Sequence, residues 1–290
     1  MYMQHTNKII LGTVQFGLPY GINNTQGMPG RNQVFKILEL AHANGIRILD
    51  TAEAYGTAES LIGEYHAGHD HAFDIISKFK YKEGTQLREY LQLKTAALKI
   101  SELYSYMFHS AGDYLSHPEL KKLLLSFKKE GLIRKTGVSI YTNDEFRQVL
   151  ADDDIDLVQL PFNLLDNNFQ RGALLKEAKE RGKEIHVRSV FLQGLFFKDP
   201  QELPEKLKPL SKYILKLRDL SVTAGIPVQQ LALQYALSNE YIDKVLIGVD
   251  SLEQFQANLS VVQNNNGLRV GSQIDEIEVS ETLLLNPANW

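Results

Sequence analysis

A carboxylate, a phenol, an ammonium and an imidazole stand in the first part of this chain, three of them at the ends of short apolar runs. Asp50 closes the run Ile46 to Leu49, and Tyr55 follows in Thr51-Ala52-Glu53-Ala54-Tyr55-Gly56. Lys78 closes Phe73 to Ser77, and His109 closes Tyr104 to Phe108. By type they offer acid–base chemistry at an oxygen: a phenol to give a proton, a cation to tune it, an anion to hold that cation, and an imidazole to donate a second hydrogen bond. A free tyrosine, with a pKa of about 10, is a poor acid near neutrality. An ammonium about 4 Å away, at an effective dielectric of about 20, favours the phenolate by roughly 4 kcal/mol, or about three pK units. A buried lysine tends to shed its proton, and Asp50 as ion-pair partner would keep it charged. Taken singly, each has a plainer reading: Asp50 as a cap, Tyr55 as a rim aromatic, Lys78 as a surface lysine, His109 as a loop histidine. Their shared place at strand ends is what favours a site.

Such side chains gather only if the runs are strands that open on one face. Short apolar runs recur at 9–13, 46–49, 73–77, 104–108, 136–140, 157–160, 184–187 and 244–247. Amphipathic patterns alternate with them, among them 32–43, 86–100, 118–130, 144–150 and 172–181, several closed by a glycine such as Gly45, Gly131 or Gly182. Strand–helix alternation makes the strands parallel. Eight such units in about 250 residues is the size of an α/β fold of the (β/α)8 TIM-barrel type, whose strand carboxyl ends share the face that carries chemistry. A doubly wound open sheet is the alternative, weakened by the lack of a GxGxxG turn after an early strand. The segment Pro200 to Asn239 exceeds one crossover helix, and Gly225-Ile226-Pro227 divides it into helices 203–224 and 228–238. After Val262, the turn Asn264-Asn265-Asn266-Gly267 and the stretch Glu276 to Trp290 form a C-terminal tail, expected over the barrel mouth. No linker composition interrupts 1–290, which reads as a single domain.

Composition narrows the classes. With 43% hydrophobic and 23% charged residues, the chain can bury a sizeable core. A net charge of -4 makes no electrostatic case for nucleic acid or an anionic membrane. Without cysteine there is no disulfide, thiol nucleophile or zinc–thiolate site. Met1 to Lys8 is polar, and Gly12, Gln15 and Gly17 break the apolar stretch after it, unlike a signal peptide. No run approaches the roughly 18 apolar residues of a membrane span. A cytoplasmic monomer with no membrane or nucleic-acid partner is the expectation. His69-Asp70-His71 carries metal-ligand types but precedes the third strand, at the amino-terminal face, without a further ligand set, so no metal is expected. His42 and His66 read as helix-surface or helix-end residues.

The stretch Asp50-Thr51-Ala52-Glu53-Ala54-Tyr55-Gly56, with Lys78 and His109, resembles the aldo-keto reductase superfamily, and the resemblance runs from Gly12-Thr13 to the helix around Asn258. It implies a (β/α)8 barrel that binds an extended nicotinamide dinucleotide without a Rossmann domain and reduces aldehydes or ketones. Hydride transfer to a carbonyl develops an alkoxide, which calls for a proton donor aimed at that oxygen. The resemblance makes Tyr55 that donor, has Lys78 and Asp50 tune it, and has His109 orient the carbonyl. Ser139 and Gln159 match positions that hold the nicotinamide carboxamide; the family's Asn beside that serine is Ile140 here, with Asn163 as a substitute. Arg188 stands where the family stacks an aromatic on the nicotinamide. Its planar guanidinium can stack on a ring, or bind a phosphate or an acidic substrate.

The remaining cofactor surface is implied in the same way: Gly12 and Thr13 at the first strand's end, and Gly194, Gly248 and Ser251 in the loops after the seventh and eighth strands. The last of these leads into a helix whose free amides suit a phosphate, although Asp250-Ser251-Leu252-Glu253 is also a plain capping pattern. Gly248 and Gln254 occupy positions from which family members contact the adenosine 2'-phosphate with Lys or Arg; Lys198 is a basic residue that could replace them. Asn258 matches an adenine-side position, beside Ala257 where the family has Glu. NADP(H) is the cofactor by resemblance, with NAD(H) left open. Val14, Phe16, Tyr20, Phe79 and Tyr81, with Ser110 and Trp290, are expected to wall a pocket for a small carbonyl substrate, a sugar or polyol aldehyde or a hydrophobic one. Ile140 and Arg188 leave a second reading, a nucleotide-binding regulatory relative with negligible turnover. A third is a barrel lyase using Lys78 as a Schiff-base amine.

Overall fold

The computed structural model describes residues 6–84, 86–264 and 267–290. Asn265 and Asn266 of the expected tail turn, and residues 1–5 of the polar amino terminus, lie outside the described residues. The strands are β1 (Ile9–Gly12), β2 (Ile48–Asp50), β3 (Asp74–Phe79), β4 (Leu103–Phe108), β5 (Ile133–Ser139), β6 (Leu157–Pro161), β7 (Glu184–Arg188) and β8 (Lys244–Gly248). They pair in chain order, all parallel, and β8 closes on β1. The β1–β8 pairing excludes the open sheet and makes this a (β/α)8 barrel. Each expected run overlaps its strand, with shifted ends. In β2 the start moves from Ile46 to Ile48, because the Ile46 amide still bonds to the Ala41 carbonyl at 3.0 Å and belongs to the exit of the preceding helix.

The principal helices are α1 (Arg31–Ala43), α2 (Ala58–Ala67), α3 (Leu87–Leu98), α4 (Pro118–Lys129), α5 (Asn143–Leu150), α6 (Asn168–Glu180), α7 (Ser211–Ala224), α8 (Val228–Ser238) and α9 (Leu252–Gln263). Two differ from expectation. α6 starts at Asn168 because the Asn167 side chain accepts from the Phe169 amide and caps it, so Gly172 lies inside the helix. The helix expected over 203–224 begins only at Ser211, after 3-10 turns at Pro200–Glu202 and Glu205–Leu210. Pro204 and Pro209 lack the amide that a longer α-helix needs there.

Strand alternation divides the core in two. Inside the barrel, Ile10, Ile48, Ile76, Met107 and Leu157 form an apolar plug. Outside it, residues such as Leu11, Leu49, Ile75, Phe79 and Phe108 pack with the helices. Anything inward-facing beyond the plug toward the strand carboxyl ends therefore floors the mouth. The tail runs beside that mouth: the Asn167 side-chain amide donates to the Ile274 and Ile277 carbonyls at 2.7 and 3.0 Å, and Tyr213 at the start of α7 donates to Glu281 at 2.7 Å. It thus crosses the amino ends of α6 and α7. Among the described residues no helix is long and apolar enough to cross a membrane.

The histidines near the amino-terminal face are structural in their contacts. His66, expected at a helix surface, is buried: Nδ1 meets the Leu98 carbonyl at 2.7 Å and Nε2 accepts from the Phe73 amide at 3.1 Å. His69 stacks on Tyr65 at 3.8 Å, and His71 stacks on His42 at 3.5 Å.

Candidate active site

Asp50 points into the barrel because Ile48, two residues before it, lies in the plug and Leu49 between them in the outer layer. The same alternation turns Lys78 inward two residues past Ile76. Lys78 Nζ donates to Asp50 Oδ1 at 2.5 Å and to the Thr51 carbonyl at 3.2 Å, and Gln159 Nε2 donates to Asp50 Oδ2 at 2.8 Å. Lys78 and Asp50 are each 2% exposed. Burial pushes the Lys78 ammonium down and the Asp50 carboxylate opposes it. Lysine, aspartate and glutamine form a locked array, since removing one charge would strand the other in a dry interior.

Tyr55 is carried over this array by a turn clamped on β1's loop. A Cβ on Gly17 would lie 2.0 Å from the Tyr55 carbonyl oxygen, so the two backbones meet where only glycine fits. The Tyr55 ring lies 5.5 Å from Lys78 Nζ and edge-on to the His109 ring at 6.5 Å. Its hydroxyl has no hydrogen-bond partner among the described residues. One expectation reverses here. Instead of being lowered by Lys78, the Tyr55 pKa is raised well above the usual phenol value, by burial first and by the Asp50 carboxylate second, against the pull of Arg188. Burial disfavours the phenolate and the Asp50 carboxylate adds to it, since Lys78 is paired with Asp50 and Tyr55 faces an ion pair and not a bare ammonium. His109 is pushed down to about 3, by burial and then by the nearby cations Lys78, Lys80 and Arg188, and its Nδ1 is buried without a partner among the described residues. It is a neutral imidazole at physiological pH.

A cleft of about 430 Å³ opens from this point, running from Lys78 and His109 past Gly12 and Gly248 to Gln229 and Asn258. Small-molecule sites occupy roughly 300–1,000 Å³. Its lining offers acceptors that the protein leaves unused. Gln159 commits its amide nitrogen to Asp50, which leaves Oε1 buried with no partner among the described residues, and Gln15 Oε1 is in the same state. A buried acceptor without a donor costs about 1–3 kcal/mol. The amide of a carboxamide is the kind of donor such atoms take, so the residues present fit a nicotinamide.

Against a profile of known families, residues 8–278 match "Aldo/keto reductase family". The chain belongs to the aldo/keto reductase family. Among relatives, it is 21% identical over 252 residues to an uncharacterized oxidoreductase, YqkF, of Bacillus subtilis (strain 168), covering 79% of this chain and 82% of that protein. It is 24% identical over 269 residues to the NADH-specific methylglyoxal reductase of Escherichia coli (strain K12), covering 79% and 82%. Among solved structures, an aldo/keto reductase from Klebsiella pneumoniae in complex with NADP and acetate superposes with a TM-score of 0.70 at 20% identity, covering 94% of this chain and 92% of that one.

In this aldo/keto reductase the expected cofactor residues Gly12, Thr13, Ser139, Gln159, Arg188 and Gly194 all line the cleft, as do Gly248, Gln254 and Asn258. Ser251 does not; its hydroxyl accepts from the Gln254 amide and caps α9. Asn163 is a turn residue whose side chain accepts from the Leu165 and Asp166 amides at 2.9 and 3.0 Å. Lys198 lies off the lining. Of the expected substrate wall, Val14 and Tyr20 line the cleft, whereas Phe16 and Phe79 are in the outer core. Phe79 follows Lys78 and so faces the opposite side of β3. Tyr81 stacks on His117 at 3.6 Å, Ser110 caps the helix Ala111–Ser116, and Trp290 donates to the Leu284 carbonyl at 2.9 Å; all three are off the cleft. Tyr141 is a lining residue that sequence reading missed, although it lies one residue past Ile140 at a strand end. Arg188 stacks on it at 4.1 Å and donates to the Ile140 carbonyl at 3.1 Å. Arg171, buried against Asp166, donates to the Tyr141 carbonyl at 2.5 Å and fixes that loop.

Proposed function

We propose that this chain is a single-domain reductase that uses NAD(P)H to convert an aldehyde or ketone to the alcohol, with Tyr55 as proton donor. The observation that carries the reading is an uncommitted phenol hydroxyl set above the locked Lys78–Asp50–Gln159 array at the end of a long cleft. When bound, the dinucleotide supplies the hydride. Ser139 and Gln159 would hold its carboxamide, Arg188 would flank its ring, and the loops at Gly194 and Gly248 would approach its phosphates.

Tyr55 gives its proton to the carbonyl oxygen as that oxygen gains alkoxide character. The raised pKa keeps the hydroxyl protonated before reaction. A phenol remains a stronger acid than water, whose pKa is about 15.7, so transfer to an alkoxide runs downhill. His109, neutral, donates a hydrogen bond to the same oxygen and orients the carbonyl. Lys78 and Asp50 supply the positive end of a fixed dipole beneath the developing charge, at no reorganisation cost. Tyr20, whose hydroxyl accepts from Gln193 Nε2 at 2.7 Å, adds a polar rim suited to a sugar or polyol aldehyde.

Arg188 favours a second reading. Its guanidinium is fixed by Tyr141 and the Ile140 carbonyl where relatives stack an aromatic, which suits a nucleotide-binding regulator with negligible turnover. A Schiff-base role for Lys78 is disfavoured by the bonds that occupy its Nζ. The test is fluorescence titration with NADH and NADPH, followed by cofactor oxidation on a panel of aldehydes and aldoses. Turnover that falls about 10²–10⁴-fold in Tyr55→Phe with nucleotide affinity kept supports the reductase. Tight binding with no turnover on any carbonyl supports the regulator.

A further inference from the structure

The cleft is electrostatically lopsided. Among the described residues Lys78 and Arg188 are the only lysine or arginine side chains on its lining, and both lie at the catalytic end, close enough that Arg188 acts on the Lys78 pKa. Beyond Gly248 the lining becomes Asn24, Asp250, Gln254, Gln229 and Asn258: neutral amides around one carboxylate. Asp250 Oδ1 accepts from Asn24 Nδ2 at 3.2 Å, Oδ2 accepts from Gln254 Nε2 at 3.4 Å, and the Asp250 amide donates to Gln254 Oε1 at 3.0 Å. Burial pushes the Asp250 carboxyl up, opposed only by the Gln254 hydrogen bond and by no cation. The helix start offers little relief to an anion there, because the Gln254 amide already donates to Ser251 Oγ at 3.2 Å. Gln229 Nε2 is likewise committed, to Asn258 Oδ1 at 2.7 Å.

If the catalytic end takes the nicotinamide, this far end takes the adenosine, and the inference rests on that reading. NAD(H) and NADP(H) differ at one place, a ribose hydroxyl in one and a phosphate of charge about −2 in the other. A carboxylate is an acceptor only, so it can bond to a hydroxyl and repels a phosphate. A site that admits the phosphate needs a cation, best a bidentate arginine.

We propose that Asp250 makes this reductase selective for NAD(H), accepting from the adenosine ribose 2'-hydroxyl and excluding a 2'-phosphate. Asn24 and Gln254 hold the carboxylate in place, Asn24 from the loop after β1, 226 residues away in the chain. Asp250 is a specificity residue and takes no part in hydride or proton transfer.

The test is direct binding, independent of turnover: NADH, NADPH, 5'-AMP and adenosine 2',5'-bisphosphate titrated against the full chain and against Asp250→Asn and Asp250→Ser. The wild type is expected to bind NADH about 100-fold more tightly than NADPH, and 5'-AMP more tightly than the bisphosphate. Asp250→Asn removes the charge and keeps the contact from Asn24, giving up the longer one from Gln254 Nε2 because an amide nitrogen does not accept, so the NADH-to-NADPH preference should shrink at least about tenfold, mainly through tighter NADPH binding; Asp250→Ser should do the same without the amide. Equal or tighter NADPH binding by the wild type overturns the inference and leaves the reductase reading standing. So does an unchanged ratio in both variants, which would make Asp250 a loop tie only. Absence of binding by either dinucleotide overturns the cofactor reading, and this inference with it.

Discussion

The two ends of the barrel interior hold nearly the same set of side chains. At the mouth stand Lys78, Asp50, His109 and Tyr55; at the floor stand Lys135, Glu184, His186 and Tyr104. Both histidines are pushed down to about 3, chiefly by burial, and both have a buried Nδ1 without a partner among the described residues. The difference lies in what remains uncommitted. At the floor, Glu184 Oε1 accepts from the Tyr104 hydroxyl at 2.7 Å and meets His186 Nε2 at 2.6 Å. Lys135 pairs with Glu184 and donates to the Tyr104 hydroxyl at 3.1 Å. That phenol both gives and receives, while the Tyr55 hydroxyl does neither. A site is therefore made less by which groups are present than by which retain hydrogen-bonding capacity at a cleft. The asymmetry agrees with the division of labour in such barrels, chemistry at the strand carboxyl ends and stability at the other.

Breaking that comparison begins with the two phenols. Tyr55→Phe is expected to lose about 10²–10⁴-fold in turnover, whereas Tyr104→Phe should keep turnover within about threefold and lose about 1–3 kcal/mol of stability, because Glu184 and Lys135 lose a shared partner. Steady-state kinetics with urea unfolding on both variants measures this, and an equal loss of turnover in Tyr104→Phe would end the distinction. The lysines come next. Lys78→Met strands Asp50 in a dry interior and should cost about 3–5 kcal/mol along with activity; Lys135→Met, with its side chain 33% exposed, should cost much less. Calorimetry that ranks them the other way would place the tighter array at the floor.

The smallest effect concerns pH. Because His109 and His186 have folded pKa values near 3, well below about 6.5 when unfolded, the unfolded chain binds more protons between those values. Their contribution to stability is full above about pH 6.5 and is lost as pH falls toward 3. The urea midpoint should drop from pH 7 to pH 4.5, and less so in His186→Gln. Neither His109 nor Tyr55 changes protonation between about pH 5 and 8, so kcat should show no titration near 6.5. A kcat profile with a step there would place a charged His109 in the reaction.

Much of the site could be read from the chain because strand ends and alternation are local. Asp50, Lys78 and His109 each end an apolar run, and closing the barrel brings those ends to one face. Where alternation was set aside, placement failed: Phe79 next to Lys78, and Phe16 in a tight turn after β1, went to the outer core. The Tyr55 pKa was unreadable for another reason. Its direction is set first by burial once the barrel has closed and then by the Asp50 carboxylate, which also holds the Lys78 ammonium at 2.5 Å.

By itself, then, the sequence determined the order of elements, the side of each strand on which a residue falls, and the residue types delivered to the mouth, since these follow from periods of two and 3.6 residues and from local turn chemistry. Only the tertiary structure decided the partners. Gln159 reaches Asp50 across 109 residues of chain, and Asn24 reaches Asp250 across 226. Such pairs exist only once the barrel closes, and it is burial and hydrogen bonding after closure that decide which charges are neutralised and which hydroxyl is left to react.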